Sequence, residues 1–460
     1  MNLRAIILDI LLETDDKNYV NQLLFLALSK YEYLDKQERA FISRVTRGVT
    51  EHRITLDYII DSFSKTKTHK MKAVIVNSLR MAVYQIIFMD SVPDSAAVNE
   101  SVKLVSHRGF NTLRGFVNAV LRSIVRKKEE LLECDDNSKV SDSNPDSLSD
   151  ESRIIPWLAD IDKDKDILYY YSVLYSFPID ILKLLKKDYS IEEVKDILSG
   201  FTGERTTFIR VNTLKTDIDD YIERLEKSGI SCKKDPRVPY ALSISGYDYI
   251  AGIEGYEQGL FNVQDISSMM TAELFEPDKD DYVIDLCAAP GGKSINMAIK
   301  LAGLKGQGRV SSRDISDYKC GKISENLARM GLDNMSVKVS DASLKNEEET
   351  KADILIADLP CSGLGIIGRK PDIKYNVSLR EIDELVKLQR KILTNSIGLL
   401  RAGGKLIYST CTINSMENED NLSWMQETLG LRLIKYNKLL PGRDNNNDGF
   451  FMALLEKAEA

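Results

Sequence analysis

Apolar residues in the first 130 positions recur every three or four residues. The segments "RAIILDILLE", "ERAFISRVTRGVTEHRITLDYII", "SLRMAVYQIIFMD", "AAVNESVKLV" and "LRGFVNAVLRSIV" each gather them on one helical face. This spacing predicts an all-helical domain over 1–130, with Asp94 and Ser95 as caps of one helix. The pattern then breaks. "ECDDNSKVSDSNPDSLSDES" has almost no apolar positions and cannot support a core, which predicts a flexible acidic linker over 131–165. Helical spacing resumes in "ILYYYSVLYSF" and "IDILKLLKKDY". Next come a β-rich run, "RTTFIRVNTL", a helical "DIDDYIERLEKSG" and a strand-like "YALSISG". They predict a small α+β unit at roughly 200–260, inside a subdomain spanning 166–280.

From about 281 to 460 strand and helix alternate, which predicts a parallel sheet. The strands are "DYVIDL", "GQGRVSSRD", "MSVKVSD", the almost wholly apolar "ADILIADLP", and "GGKLIYSTC". Helices are expected through "SINMAIKLA", "ISENLARMG" and "IDELVKLQRKILTNSIGLL". Ligands of such sheets sit beyond the C-terminal strand ends. Asp285, Asp314, Asp341, Asp358, Cys361 and Cys411 all lie at or just after a strand end, so they are expected along one edge.

Composition narrows the chemistry. The six cysteines are scattered with no C-x-x-C pair, which argues against zinc and against a disulfide framework and for a reducing cytoplasm. No apolar run is long enough to span a membrane. The three histidines, His52, His69 and His107, are all in the first quarter, so chemistry in the C-terminal half must run without a histidine base. The net charge of −8 hides an asymmetry: residues 1–128 hold 20 basic and 13 acidic residues. Two acid-free runs, 62–89 and 101–128, fit either solvated helix faces or contacts to nucleic-acid phosphates.

"PGGKS" lacks the glycine that a triphosphate loop needs at 287, where Cys287 stands. A small-residue turn between first strand and helix still lets backbone approach a dinucleotide-like ligand. Asp314 ends the second strand 22 residues after Gly292, where an acid commonly accepts hydrogen bonds from ribose hydroxyls. Any one such aspartate is ordinarily a solvated acid; four in order along one edge point to a crevice. Cys287 and Cys320 read as small packing residues. Cys361 in "DLPCSGLG" and Cys411 in "STCT" sit instead on short loops at the ligand edge, outside apolar runs, as a reactive thiol does.

"DLCAAPGGKS", "DLPCSGLGIIGRKPDIKY", "YSTCTINSMENE" and "VQDISSMM" resemble the RNA cytosine-C5 methyltransferases, over a stretch from about Arg205 to "DGFFMALLEK". The first 130 residues, with "VPDSAAVNESVKL" and "GFVNAVLR", resemble the NusB-like RNA-binding domain. Together they resemble the Sun (RsmB-like) methyltransferases of bacterial 16S ribosomal RNA. Leu359, where that family often has alanine, and "SSRD" before Asp314 depart from its pattern. The resemblance implies an α/β chain: a Rossmann-like methyltransferase domain at 281–460, preceded by a NusB-like helical domain and an α+β RNA-binding subdomain. It implies S-adenosylmethionine on Cys287, Ala288, Ala289, Pro290, Gly291, Gly292 and Lys293, with Asp314 on the ribose, Asp341 near the adenine and Asp358 beside them. It further implies Cys411 as the nucleophile that adds to cytosine carbon 6, Asp358 as the group holding N3 and the exocyclic amine, and Cys361 as an aid to carbon-5 deprotonation or β-elimination. The partner implied is 16S ribosomal RNA, with no metal and no membrane. The alternatives are a methyltransferase of transfer or other RNA, a DNA cytosine or small-molecule methyltransferase, and a non-catalytic RNA-binding assembly factor.

Overall fold

The helical periodicity of the N-terminal part builds one unit, Met1–Leu198, which also takes in Arg369–Asn376 from far along the chain. A second unit holds the rest, Ser199–Gly368 and Val377–Ala460. The computed structural model describes residues 2–14, 19–135, 149–203, 205–345, 350–442 and 447–459. The centre of the expected linker, 136–148, lies outside the described residues. Its flanks are helical: Arg114–Asp135 runs into the acidic stretch, and Asp150–Ile154 begins beyond it. The second helix is fixed by Ser149, whose hydroxyl accepts from the Ser152 amide, and by an Arg153–Asp90 ion pair at 2.6 Å.

The helical unit is built around the helix Ala73–Phe88, which is buried on every side from Ile75 onward. Its polar residues are satisfied internally: Arg80 forms a two-pronged pair with Asp57 at 2.7 Å, and Gln85 accepts from Arg4. Of the bases in the first acid-free run, Arg80 is therefore internal, whereas Lys65, Lys67, Lys70 and Lys72 are exposed. Asp94 and Ser95 do not cap the helix Asp94–His107 as expected. Pro93 occupies the cap, and Asp94 pairs with Lys128 at 3.0 Å.

The segment Arg369–Asn376 is held within the same unit by polar contacts. The Val20 amide donates to Asp372 at 3.1 Å, Asn21 donates to the Arg369 carbonyl at 3.0 Å, and Tyr375 and Ser176 hydroxyls meet at 3.0 Å. Lys374 is almost fully buried; its ammonium donates to the Glu51 carbonyl at 2.7 Å and lies 4.6 Å above the Phe177 ring.

In the second unit, β1 (Thr207–Val211), β2 (Ser231–Lys234), β3 (Ala241–Ser245) and β4 (Phe261–Val263) form an antiparallel sheet ordered β2-β3-β1-β4. The pattern of apolar residues predicts β1 and β3; β2 and β4 are short and carry little alternation. The larger sheet comprises β5 (Tyr282–Asp285), β6 (Arg309–Asp314), β7 (Met335–Val339), β8 (Ala352–Asp358), β9 (Leu400–Thr410), β10 (Leu431–Leu439) and β11 (Phe450–Lys457). Its order is β10-β11-β9-β8-β5-β6-β7. The five expected strands are parallel, and a hairpin, β10 with β11, adds two antiparallel strands at the β9 edge. Residues alternate between two cores: Ile354 and Ile356 join one, Leu355 and Ala357 the other. A strand covered on both faces reads as a continuous apolar run, hence "ADILIAD". Among the described residues no helix is long and apolar enough to cross a membrane, and no cluster of acids, cysteines and histidines could hold a metal.

Burial lowers the Lys374 ammonium to about 7, against its ordinary 10.5. Its folded value lies below its unfolded one, so between those pH values the unfolded chain binds more protons and stability rises with pH. Between pH 7 and pH 9 the wild type is expected to gain about 2 kcal/mol relative to Lys374→Met. Urea unfolding of both proteins at the two pH values checks this.

Candidate active site

Chain order reverses at β5: β6 and β7 extend the sheet on one side of it, β8 and β9 on the other. The C-terminal ends of β5 and β8 therefore open a crevice. Residues 286–291 cross it between β5 and the helix Gly292–Gly303. Gly291 has a φ of 102°, in the left-handed region that favours glycine, and a Cβ there would press on Ile295 and Ile323 at 3.3 Å. The turn is bonded from both sides: the Leu286 amide donates to the Ile356 carbonyl at 3.0 Å, and Ala288 to that of Arg313 at 2.8 Å. Asp314 ends β6 and accepts from the Ala289 amide at 3.0 Å and the Ile315 amide at 2.8 Å, with Lys319 at 3.1 Å. Asp341, two residues beyond β7, is half-exposed and accepts from the Ser343 amide at 2.8 Å. Asp285 lies beneath the turn. Burial pushes its carboxyl up to about 7, while hydrogen bonds from the Ser294 hydroxyl and the Cys287 amide oppose the rise. Burial, aided by the charges of Asp285, Asp314 and Asp358, also raises the Cys287 thiol far above its usual range, which suits a packing residue.

The polar "SSRD" of β6 has internal partners. Ser312 meets Ser294 at 2.8 Å, and Arg313 donates to Ser311 at 3.1 Å. The first turn of the helix is also gripped from the small sheet. Arg210, almost wholly buried on β1, donates to the Gly292 carbonyl at 2.6 Å and to Gln264.

At the ends of β8 and β9 the structure brings together the three expected reactive groups. Asp358 stands opposite Ser409 in the ladder and accepts from its hydroxyl at 2.8 Å. The other Asp358 oxygen takes the Lys293 ammonium at 2.6 Å. Three residues beyond Asp358 and two beyond Ser409, the Cys361 and Cys411 sulfurs approach to 3.3 Å, both partly exposed. The Cys361 thiol is pushed well above its usual range, first by the Cys411 sulfur, then by burial and the Glu417 carboxylate. Gly365 closes the first of these loops: its amide donates to the Cys411 carbonyl at 2.9 Å and its carbonyl accepts from Gly449 at 2.8 Å.

The pattern of hydrophobic and polar positions did not single out Glu417, Ser362, Gln389, Asn414 or Arg210. "STCTINSMENEDN" reads as a surface loop by polarity, yet Thr410, Thr412, Asn414, Glu417, Asn418 and Asn421 have no exposed surface. The available signal was its placement: a polar run directly after a buried strand, at the ligand edge, has to satisfy its own polar groups. Lys293 was expected on a cofactor, and its contact with Asp358 could not be read from spacing.

Three family profiles match the chain: NusB over 1–126, the ferredoxin-like domain of RsmF/B-like methyltransferases over 177–248, and 16S rRNA methyltransferase RsmB/F over 272–456. The probable ribosomal RNA small subunit methyltransferase B of Bacillus subtilis is 30% identical over 421 residues, which cover 91% of this chain and 87% of that one. The crystal structure of PH0851 superposes with a TM-score of 0.76 at 23% identity, covering 99% of this chain and 98% of the other. NSun6 from Pyrococcus horikoshii, solved with SFG, gives 0.56 at 24% identity over 62% of this chain and 99% of its own.

A Cβ on residue 365 would lie 1.9 Å from the Gly449 carbonyl oxygen and 2.8 Å from that of Cys411, both backbone atoms. Gly365→Ala must therefore move a loop, and is expected to cost about 1–3 kcal/mol by overpacking. It should also reduce capture of the two thiols by a trivalent arsenical that bridges them. Urea unfolding and mass spectrometry of the arsenical adduct measure the two effects.

Proposed function

The chain belongs to the RsmB/F family of S-adenosylmethionine-dependent 16S ribosomal RNA methyltransferases, and from that premise we propose that it methylates carbon 5 of a cytosine in this RNA through a covalent bond from Cys411 to carbon 6. The observation that carries this reading is the 3.3 Å approach of the Cys361 and Cys411 sulfurs beside Asp358 at the ends of β8 and β9.

The residues of the crevice fit the cofactor. The turn from Cys287 to Lys293 offers a closely approachable backbone, a helix begins at Gly292, and Asp314 and Asp341 stand at the ends of the neighbouring strands. When bound there, S-adenosylmethionine supplies an electrophilic methyl group on a sulfonium.

Carbon 5 of cytosine is a poor nucleophile. The base leaves its stack to reach the crevice. Cys411 loses its proton to solvent and forms a sulfur–carbon 6 bond, and the displaced electron pair makes carbon 5 an enamine carbon able to attack a methyl group. Asp358 accepts a hydrogen bond from the exocyclic amine; N3 takes a proton from solvent as the sulfur–carbon bond forms, so the adduct is neutral and its N3–H donates to the same carboxylate. Carbon 5 then carries both hydrogen and methyl. Removal of its proton restores the 5,6 double bond and expels the Cys411 sulfur. Cys361 aids this second half. The first cause that holds its thiol protonated is the Cys411 sulfur, and that cause is lost once Cys411 is bonded to carbon 6, so Cys361 can then ionise and take the carbon-5 proton. No histidine is needed. The exposed lysines of the helical unit and the ferredoxin-like subdomain contact the RNA phosphates.

Two expectations test the reading. Asp314→Ala should weaken S-adenosylmethionine binding by about 1.5–3 kcal/mol for each ribose hydrogen bond lost, with RNA affinity little changed, as calorimetry would report. Normal cofactor affinity in that variant removes Asp314 from the site. The cysteines should behave unequally with radiolabelled methyl donor and unmodified 16S RNA. Cys411→Ala should be inactive and form no adduct. Cys361→Ala should add and methylate but fail to release, leaving a methylated protein–RNA adduct that survives denaturing electrophoresis. A fully active Cys411→Ala sinks the mechanism, and an adduct in that variant instead reverses the two roles.

A further inference from the structure

Glu417 lies beneath the two cysteine loops with no exposed surface. One carboxylate oxygen accepts from the Ser362 amide at 2.9 Å and from Gln389 Nε2 at 3.0 Å. The other accepts from Asn414 Nδ2 at 2.6 Å and from the Ser362 hydroxyl. Every partner is a donor, the arrangement that suits an ionised carboxylate. A carboxylate is costly to bury unless its oxygens are satisfied in this way. The partners come from both loops: Ser362 adjoins Cys361, and Asn414 lies three residues past Cys411. Gln389, which also donates to the Pro360 carbonyl at 2.9 Å, ties the group to the helix Leu379–Ser396. The Glu417 carbonyl takes the Tyr408 hydroxyl of β9 at 2.5 Å.

We propose that Glu417 is a positioning residue for the reaction set out above: its carboxylate clamps the loop of Cys361 to the loop of Cys411 and so sets the distance between the two sulfurs. β8 and β9 end at Asp358 and Thr410, and beyond them no ladder holds the loops in register. The Ser362–Thr412 hydroxyl contact at 2.8 Å, the Asn414–Ser362 bond at 3.3 Å and the Gly365–Cys411 backbone bond also cross between the loops, and Gln389 bonds both Pro360 and Glu417, but Glu417 gathers four hydrogen bonds, from both loops and the helix, on one carboxylate. A glutamine at 417 keeps the shape and turns one acceptor into a donor facing donors, which must push one loop away.

The test is Glu417→Gln in the full chain. Equilibration with glutathione reads the sulfur spacing without RNA or methyl donor. One glutathione disulfide oxidises the two thiols to a Cys361–Cys411 disulfide, the protein loses two hydrogens, and two glutathione thiols are released. Peptide mass mapping gives the equilibrium constant for that pair apart from the other cysteines. The variant is expected to lower this constant by about tenfold or more, the usual sensitivity of an effective concentration to misalignment. Single-turnover methyl transfer should fall by a similar factor, with S-adenosylmethionine affinity unchanged. Ser362→Ala, which removes only the hydroxyl bonds, should shift both readouts the same way by less, and adding it to Glu417→Gln should bring little further loss. A wild-type disulfide constant in Glu417→Gln overturns the proposal; should that variant not fold, a wild-type constant in Ser362→Ala does so. A wild-type protein that never methylates cytosine, with the glutathione shift intact, overturns the carbon-5 reaction and leaves the positioning role standing.

Discussion

One pairing, Asp358 opposite Ser409 in the parallel ladder of β8 and β9, sets the rest of the site. It brings the Ser409 hydroxyl to the Asp358 carboxylate and lets the Leu359 amide donate to the Ser409 carbonyl at 3.2 Å. From that last rung the chain has three residues to reach Cys361 and two to reach Cys411, so the sulfurs meet just past the end of the sheet. A slip of one residue would turn each strand's side chains to the opposite face and exchange the two cores. The apolar alternation along β8 that defends those cores thus also defends the thiol pair. Leu359 is buried just beyond this rung and extends the apolar layer.

The electrostatics of the crevice divide in two. At the ends of β6 and β8, carboxylates meet backbone amides and lysines: Asp314 with Ala289, Ile315 and Lys319, and Asp358 with Lys293. On the side of the cysteines, neutral donors converge on one carboxylate, Glu417, and its charge helps hold the Cys361 thiol in its protonated form. The two thiols of the pair therefore stand in different surroundings, and none of the chain's three histidines is among the groups that make the difference.

Much of this was legible in the sequence because burial leaves a period. The strands of the larger sheet read as apolar runs, the helices as three- and four-residue spacing, and the strand ends carried Asp285, Asp314, Asp358, Cys361 and Cys411 to one edge. What stayed hidden depends on partners far along the chain. β2 and β4 are four and three residues long and take their conformation from β3 and β1. Arg80 counted as surface charge until Asp57 claimed it from a neighbouring helix. The burial of the polar run after Cys411 leaves no trace in its composition, because polarity alone cannot tell a group bonded to water from one bonded to Glu417. Asp94 failed as a cap because the preceding proline already fixes an extended backbone there and Lys128 gives the carboxylate another use.

The eight residues Arg369–Asn376 bear on how the molecule is made. Synthesis runs from the N-terminus, and domains generally fold as they emerge. The helical unit cannot complete itself that way, because the Val20 amide, the Asn21 amide group, the Glu51 carbonyl and the Ser176 hydroxyl take partners from a segment translated about 170 residues after Leu198, where the unit's first stretch ends. By then the strands up to β8 and the loop bearing Cys361 already exist. The nascent chain must hold an unfinished helical core open, or fill it provisionally, until Lys374 arrives. The same thread denies evolution a clean cut: a helical unit moved to another protein would have to carry with it a piece of the chain that begins eight residues after Cys361.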